Sequence, residues 1–148
     1  MSQNIETLKT LTQITYDSVE GYRTAAEKSG SSAMKKAFEQ RANMRSQTLA
    51  KLNNGLLMHK EKPIASVSLS GSVHQTFLKI TEAVSNGDKA VIDRVDEGEE
   101  FIAENFRRVL NDDEVKDMDL SIRTLIQDTY GEISKGERFA NMLEAQFA

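Results

Sequence analysis

The sequence contains no cysteine. That excludes disulfides, and it excludes thiolate nucleophiles and thiolate metal ligands. It contains one proline, Pro63, so helices can run unbroken almost everywhere except around that residue. No apolar run approaches the roughly 20 residues needed to span a bilayer, which argues against a membrane. There is no basic excess either. Lys and Arg number 19 against 23 Asp and Glu, for a net charge of −4. Nucleic-acid binding is disfavoured, because neutralising phosphates needs a basic face. No Gly-rich phosphate loop occurs, and no Ser, Cys or Lys is set up as an activated nucleophile. The opening residues, MSQNIETLKT, are polar and include an acid, unlike a signal or transit peptide. A cytoplasmic location is the expectation.

What remains is a chain of 148 residues, 39% hydrophobic and 28% charged. That is enough for one domain, 1–148, with a sizeable core. Apolar residues recur at helical spacing through most of it. The pattern predicts a first helix over Ile5–Lys28 and a second over Ala33–Met58, with SGSS at Ser29–Ser32 breaking the first and able to cap the second. The stretch HKEKPIASVSLSGS reads as an extended connection, and a short helix over Val73–Val84 follows it. SNGD then stops that helix, with Asp88 as the expected N-cap. A third long helix is predicted over Lys89–Leu110 and a fourth over Leu120–Gln146. Four long helices in one domain must bury their apolar stripes against each other, so the fold class is an all-α four-helix bundle. The second helix would be roughly 40 Å long at 1.5 Å per residue. The long middle connection can travel back along it, which makes the second and third helices parallel, as in the single crossover of ferritin-like bundles.

The segment GSVHQTFLKITEAVSNGDKAVIDRVDEGEEF, Gly71 to Phe101, resembles a bacterial family of ferritin-like four-helix-bundle domains of unknown function (domain-of-unknown-function family 2383). The resemblance rests on Gly71-Ser72, on His74 followed by Phe77, on Gly87-Asp88, and on Glu97-Gly98-Glu99. EGYRTAAE, Glu20 to Glu27, is similar to the family's first helix. The resemblance implies the bundle fold and no settled activity.

VDEGEEFIAENF, Val95 to Phe106, carries Asp96, Glu97, Glu99, Glu100 and Glu104. Clustered acids on a helix either hold metal or face water. A ferritin-like di-metal site needs a Glu from each of two helices and a Glu-x-x-His from each of the other two, all pointing inward. At about 100° per residue, the third helix buries Ile92, Val95, Ile102, Phe106 and Val109. Glu99 falls inside that stripe and Asp96 on its flank, while Glu97, Glu100 and Glu104 turn to water. On the first helix, Leu8, Leu11, Thr15, Ser18, Val19, Tyr22 and Ala26 face inward, and Asp17 and Glu20 are expected to project outward. On the second, Met34, Ala37, Phe38, Thr48, Leu49 and Leu52 face inward, with Arg41, Met44 and Arg45 in or beside the stripe. On the fourth, Ile122, Leu125, Ile126, Thr129, Ile133, Ala140 and Leu143 face inward, with Glu132 at the border.

No Glu-x-x-His occurs anywhere; Lys135 stands where the His after Glu132 would be. Neither histidine reaches the middle, His59 ending the second helix and His74 lying on the crossover. A phosphate-accepting role for His74 needs a histidine on a bundle helix, which it is not. The interior polar cluster is therefore Arg41, Arg45, Glu99 and Glu132, with an ion pair expected between Arg41 and Glu99. The methionines, Met34, Met44 and Met142 among them, read as core filler. Phe101 lies off the core stripe and is expected to pack under the crossover, or else at a subunit contact. The expected function is a non-catalytic structural or protein-interaction module with a degenerate metal site and no cofactor. Its partner would be an unknown protein or a second copy. The alternative is a carboxylate metal-binding protein in iron or oxidative-stress handling, holding iron or manganese on Glu99 and Glu132. A loosely held surface metal would sit among Glu97, Glu100 and Glu104.

Overall fold

The computed structural model describes residues 2–68 and 87–146. They form four long helices: α1 (Ser2–Lys28), α2 (Ser32–Met58), α3 (Asp88–Asn111) and α4 (Leu120–Gln146). There is no strand among the described residues. No described helix is long and apolar enough to cross a membrane.

The ends of the helices follow from local chemistry. Ser29 Oγ donates back to the Ala25 carbonyl at 2.6 Å as α1 closes. Ser31 caps α2, its hydroxyl oxygen accepting the Met34 N–H at 3.1 Å. At the far end of α2, Lys60 takes a left-handed φ of 63° and the Glu61 N–H bonds the Leu56 carbonyl at 2.9 Å. This is the closing turn usually left to glycine, here made by a lysine. Asp119 caps α4, its Oδ1 accepting the N–H groups of Ser121 and Ile122 at 3.0 and 3.3 Å. The cap expected of Asp88 is corrected. Gly87 is the N-cap of α3, at a φ of 95° that an L side chain rarely adopts. Asp88 is instead the first helical residue, and its carboxylate accepts the Gly30 N–H at 3.1 Å, tying the α1–α2 turn to the start of α3.

The core has two apolar parts. One holds Tyr22, Phe38, Val91, Ile92, Val95 and Leu143, and the other Leu8, Leu52, Ile102, Phe106, Ile126 and Ile133. Their order along each helix fixes the helix directions. Helices α1 and α4 run from the second part to the first, and α2 and α3 from the first to the second. Helices α2 and α3 are therefore parallel. They lie diagonally, because the close neighbours are α1 with α2, α3 with α4, α2 with α4, and α1 with α3.

After α2 the chain climbs along α1. Lys9 pairs with Glu61 at 2.7 Å, Gln13 donates to the Ser66 carbonyl at 2.9 Å, and the Ser68 N–H donates to Asp17 at 3.0 Å. Asn53 holds the segment to α2 through both polar groups of the Ile64 backbone. This covering corrects the reading of α1. Asp17, expected in water, is 2% exposed, because a face that a lone helix would leave wet is roofed by residues 66–68. Met142, read as core filler, is 53% exposed. Phe101 packs half-buried against the second part of the core. The short helix over Val73–Val84, with His74, Phe77 and Gly71-Ser72, lies outside the described residues.

Candidate functional site

Between the two apolar parts, every helix contributes polar side chains at one level. Arg45 of α2 stands at the centre and is 0% exposed. Its Nη1 and Nη2 donate to Oε1 and Oε2 of Glu99 on α3, both at 2.7 Å, a two-pronged pairing that matches the planar guanidinium to the planar carboxylate. Its Nε donates to Glu132 Oε1 on α4 at 2.8 Å, and its Nη1 also reaches Ser18 Oγ on α1 at 2.5 Å. Arg41 donates to Glu132 Oε2 and, at 3.4 Å, to the Glu132 carbonyl. Thr48 donates its hydroxyl to Glu132 Oε1 at 2.7 Å. Two aromatic rings complete the enclosure, Tyr22 with Arg45 at 5.8 Å and Phe139 with Arg41 at 5.8 Å.

The pairing differs from the Arg41–Glu99 contact expected from helix heights. Glu99 takes Arg45, and Arg41 takes Glu132. The diagonal placement of α2 and α3 explains the change. The two backbones are not close neighbours, so a polar contact between them needs a long side chain crossing the middle, and Arg45 is the one whose fork meets Glu99 on α3. Arg41, one turn away on α2, faces the adjacent α4 instead.

Electrostatics and burial oppose one another here. Burial alone would pull the Arg45 guanidinium down. The charge and hydrogen bonds of Glu99, helped by Glu132, reverse this and hold its pKa above the ordinary arginine range. Burial would likewise raise Glu132, but the Arg45 charge and hydrogen bond, with Thr48 and Arg41, keep it below the usual carboxylate value of 4.5. The Tyr22 hydroxyl is pushed well above its normal value, first by burial and then by the Glu99 charge.

A glycine makes room for this layer. Gly136 of α4 is buried, and a Cβ on it would collide with the Glu99 carboxylate and with the guanidinium groups of Arg45 and Arg41. Sequence reasoning missed this residue. The available signal was its spacing, four residues after Glu132 on the same face.

The network is filled with hydrogen-bond donors. Both Glu99 oxygens lie on Arg45, and the Glu132 oxygens lie on Arg45 and Thr48 and on Arg41. A cation approaching these carboxylates would meet two guanidinium charges first, and among the described residues it would find no imidazole, since His59 sits at the end of α2 against Ser121 at 3.1 Å. The donor set therefore does not fit a di-metal centre. Glu97, Glu100 and Glu104 are exposed and Asp96 is half-buried. Among the described residues, no three or more histidines and carboxylates are grouped to hold a metal ion.

A family described as "Domain of unknown function (DUF2383)" matches residues 3–112. The chain belongs to this family. The DUF2383 match takes in α1, α2 and α3, and with them Arg41, Arg45 and Glu99; Glu132 and Gly136 lie beyond it. No curated protein and no solved structure matches the chain.

Proposed function

We propose that this DUF2383 member is a non-catalytic ferritin-like bundle, acting in a bacterial cytoplasm as a structural or protein-interaction module. In this reading the buried charge network stands where ferritin-like proteins place two metals, and arginine does the neutralising that cations do there. The observation that carries it is the commitment of both interior carboxylates to Arg41 and Arg45. The parallel course of α2 and α3 is compatible with the single crossover of ferritin-like bundles. A network of this kind gives little net stability over an apolar core of the same shape, but it strongly penalises any packing that strands one of its charges. Such a layer specifies one register of four helices, which suits a scaffold.

The test is elemental analysis of protein purified without chelator, then loaded with iron, manganese or zinc and dialysed. The expected result is no stoichiometric metal. One or two tightly held ions per chain, lost in a Glu99→Ala, Glu132→Ala double variant, would overturn the proposal and favour metal handling.

A further inference from the structure

The exposed apolar surface is unevenly distributed. Among the described residues the large exposed hydrophobics are Leu57 at 55%, Met58 at 75%, Leu120 at 64% and Met142 at 53%. Three of these four gather where α2 ends and α4 begins. Met58 and Leu120 line an open groove of about 660 Å³ between the two helices, floored by Gly55, Ile122 and Leu125. The floor is close-packed, since a Cβ on Gly55 would strike the Leu125 side chain. Pockets of roughly 300–1,000 Å³ can hold small molecules, but those enclose most of the ligand and converge a few polar groups on it. This groove lies open to solvent and suits a ridge of side chains from another protein.

Its two walls differ in charge. The register is set by His59 of α2 against Ser121 of α4 at 3.1 Å. The helices are antiparallel, so about 12 Å back along α2 and about 10 Å forward along α4 bring Lys51 and Asp128 to the same height on opposite walls. Both are exposed, both line the groove, and neither is in an ion pair among the described residues. A groove with one basic and one acidic wall selects neither a basic nor an acidic partner. It does match itself. A half-turn about an axis along the groove sets each basic wall over the other copy's acidic wall and brings the two apolar ends together, the self-complementarity that a two-fold dimer requires.

We propose that this face, built from the end of α2 and the start of α4, is a homodimer interface. Lys51 of each copy faces Asp128 of the other, and Met58 and Leu120 form its apolar centre. The inference rests on the reading of the chain as an interaction module and names the partner as a second copy. A standard interface buries about 800 Å² per partner, roughly a tenth of the 8043 Å² accessible surface.

Sedimentation equilibrium on the full chain tests it. The expected result is a dimer that Met58→Asp with Leu120→Asp converts to monomer, with the helical circular-dichroism spectrum unchanged because both side chains are exposed. Lys51→Glu alone and Asp128→Lys alone should each weaken the dimer by roughly tenfold, and the two together should restore it, since they re-create the pair with its signs exchanged. A chain that stays monomeric at about a hundred times the micromolar range of ordinary weak complexes overturns the proposal. So does a dimer on which the charge exchanges have no effect, whether or not the aspartate variants fold. A monomer that also holds no metal would refute this interface and leave the non-catalytic reading standing; a dimer that holds stoichiometric metal would do the reverse.

Discussion

Glu99 and Asp96 lie one turn apart on α3 and meet opposite surroundings. Glu99 is 2% exposed and both its oxygens rest on one guanidinium. Asp96 sits half-buried at the edge of α3, where its carboxyl is pushed up first by burial and then by the charges of Glu100, Glu137, Asp93 and Glu97. Glu144 on α4 joins this outer group and is also raised, first through its hydrogen bond with Asp93. The same chemical group is thus a structural anion in one place and a crowded, repelled one a turn away. What separates them is that α2 supplies arginine to Glu99, whereas Asp96 has the acids of its own helix and Glu137 of α4 around it.

Removing Glu99 should have the largest effect. Glu99→Ala leaves the buried Arg41 and Arg45 to share the single carboxylate of Glu132, and the expected loss is about 3–5 kcal/mol, since one guanidinium charge is then uncompensated out of reach of water. Glu97→Ala, on the exposed side of the same helix, should stay within about 0.5 kcal/mol. Urea unfolding of both variants checks the contrast, and equal losses would mean the interior pair is not buried in solution.

Two glycines of α4 sharpen it. Gly136→Ala forces a methyl group into the charged layer and should cost about 1–3 kcal/mol, despite the better helix propensity of alanine. Gly131→Ala, exposed and with nothing within 4 Å of the new Cβ, should instead stabilise by up to about 1 kcal/mol. Thermal melts of the two variants should move in opposite directions.

The smallest effect is on pH dependence, where the two groups of acids differ in sign. The folded pKa of Glu132 lies below its ordinary 4.5. Its stabilisation is complete above that value and is lost as pH falls through the lowered one. Asp96 and Glu144 lie above their ordinary 3.8 and 4.5. Their contribution is complete below those values and is lost as pH rises through the raised ones. Glu132→Gln should therefore flatten the loss of stability below about pH 4.5, after lowering stability at neutral pH. Asp96→Asn with Glu144→Gln should raise the melting temperature slightly at pH 7 and leave it unchanged below about pH 3.8. Melting curves across this range, wild type against each variant, decide it.

The sequence by itself determined the four helices and which face of each is buried, because the 3.6-residue period of Ile92, Val95, Ile102 and Phe106, and of its counterparts on the other helices, is a local property. It also picked out Arg41, Arg45, Glu99 and Glu132, since a charge inside an apolar stripe is visible without coordinates. Which arginine meets which glutamate was decided only in three dimensions. Helices α2 and α3 sit diagonally, so side-chain reach and fork direction choose the partner, and equal height along the axis does not. The burial of Asp17 was likewise out of reach, because it depends on residues 66–68 folding over α1 from 51 positions away along the chain. Gly136 reads as a weak point of a helix in sequence. In the folded chain it is the space that two arginines and a glutamate occupy, and that requirement exists only once all four helices are in place.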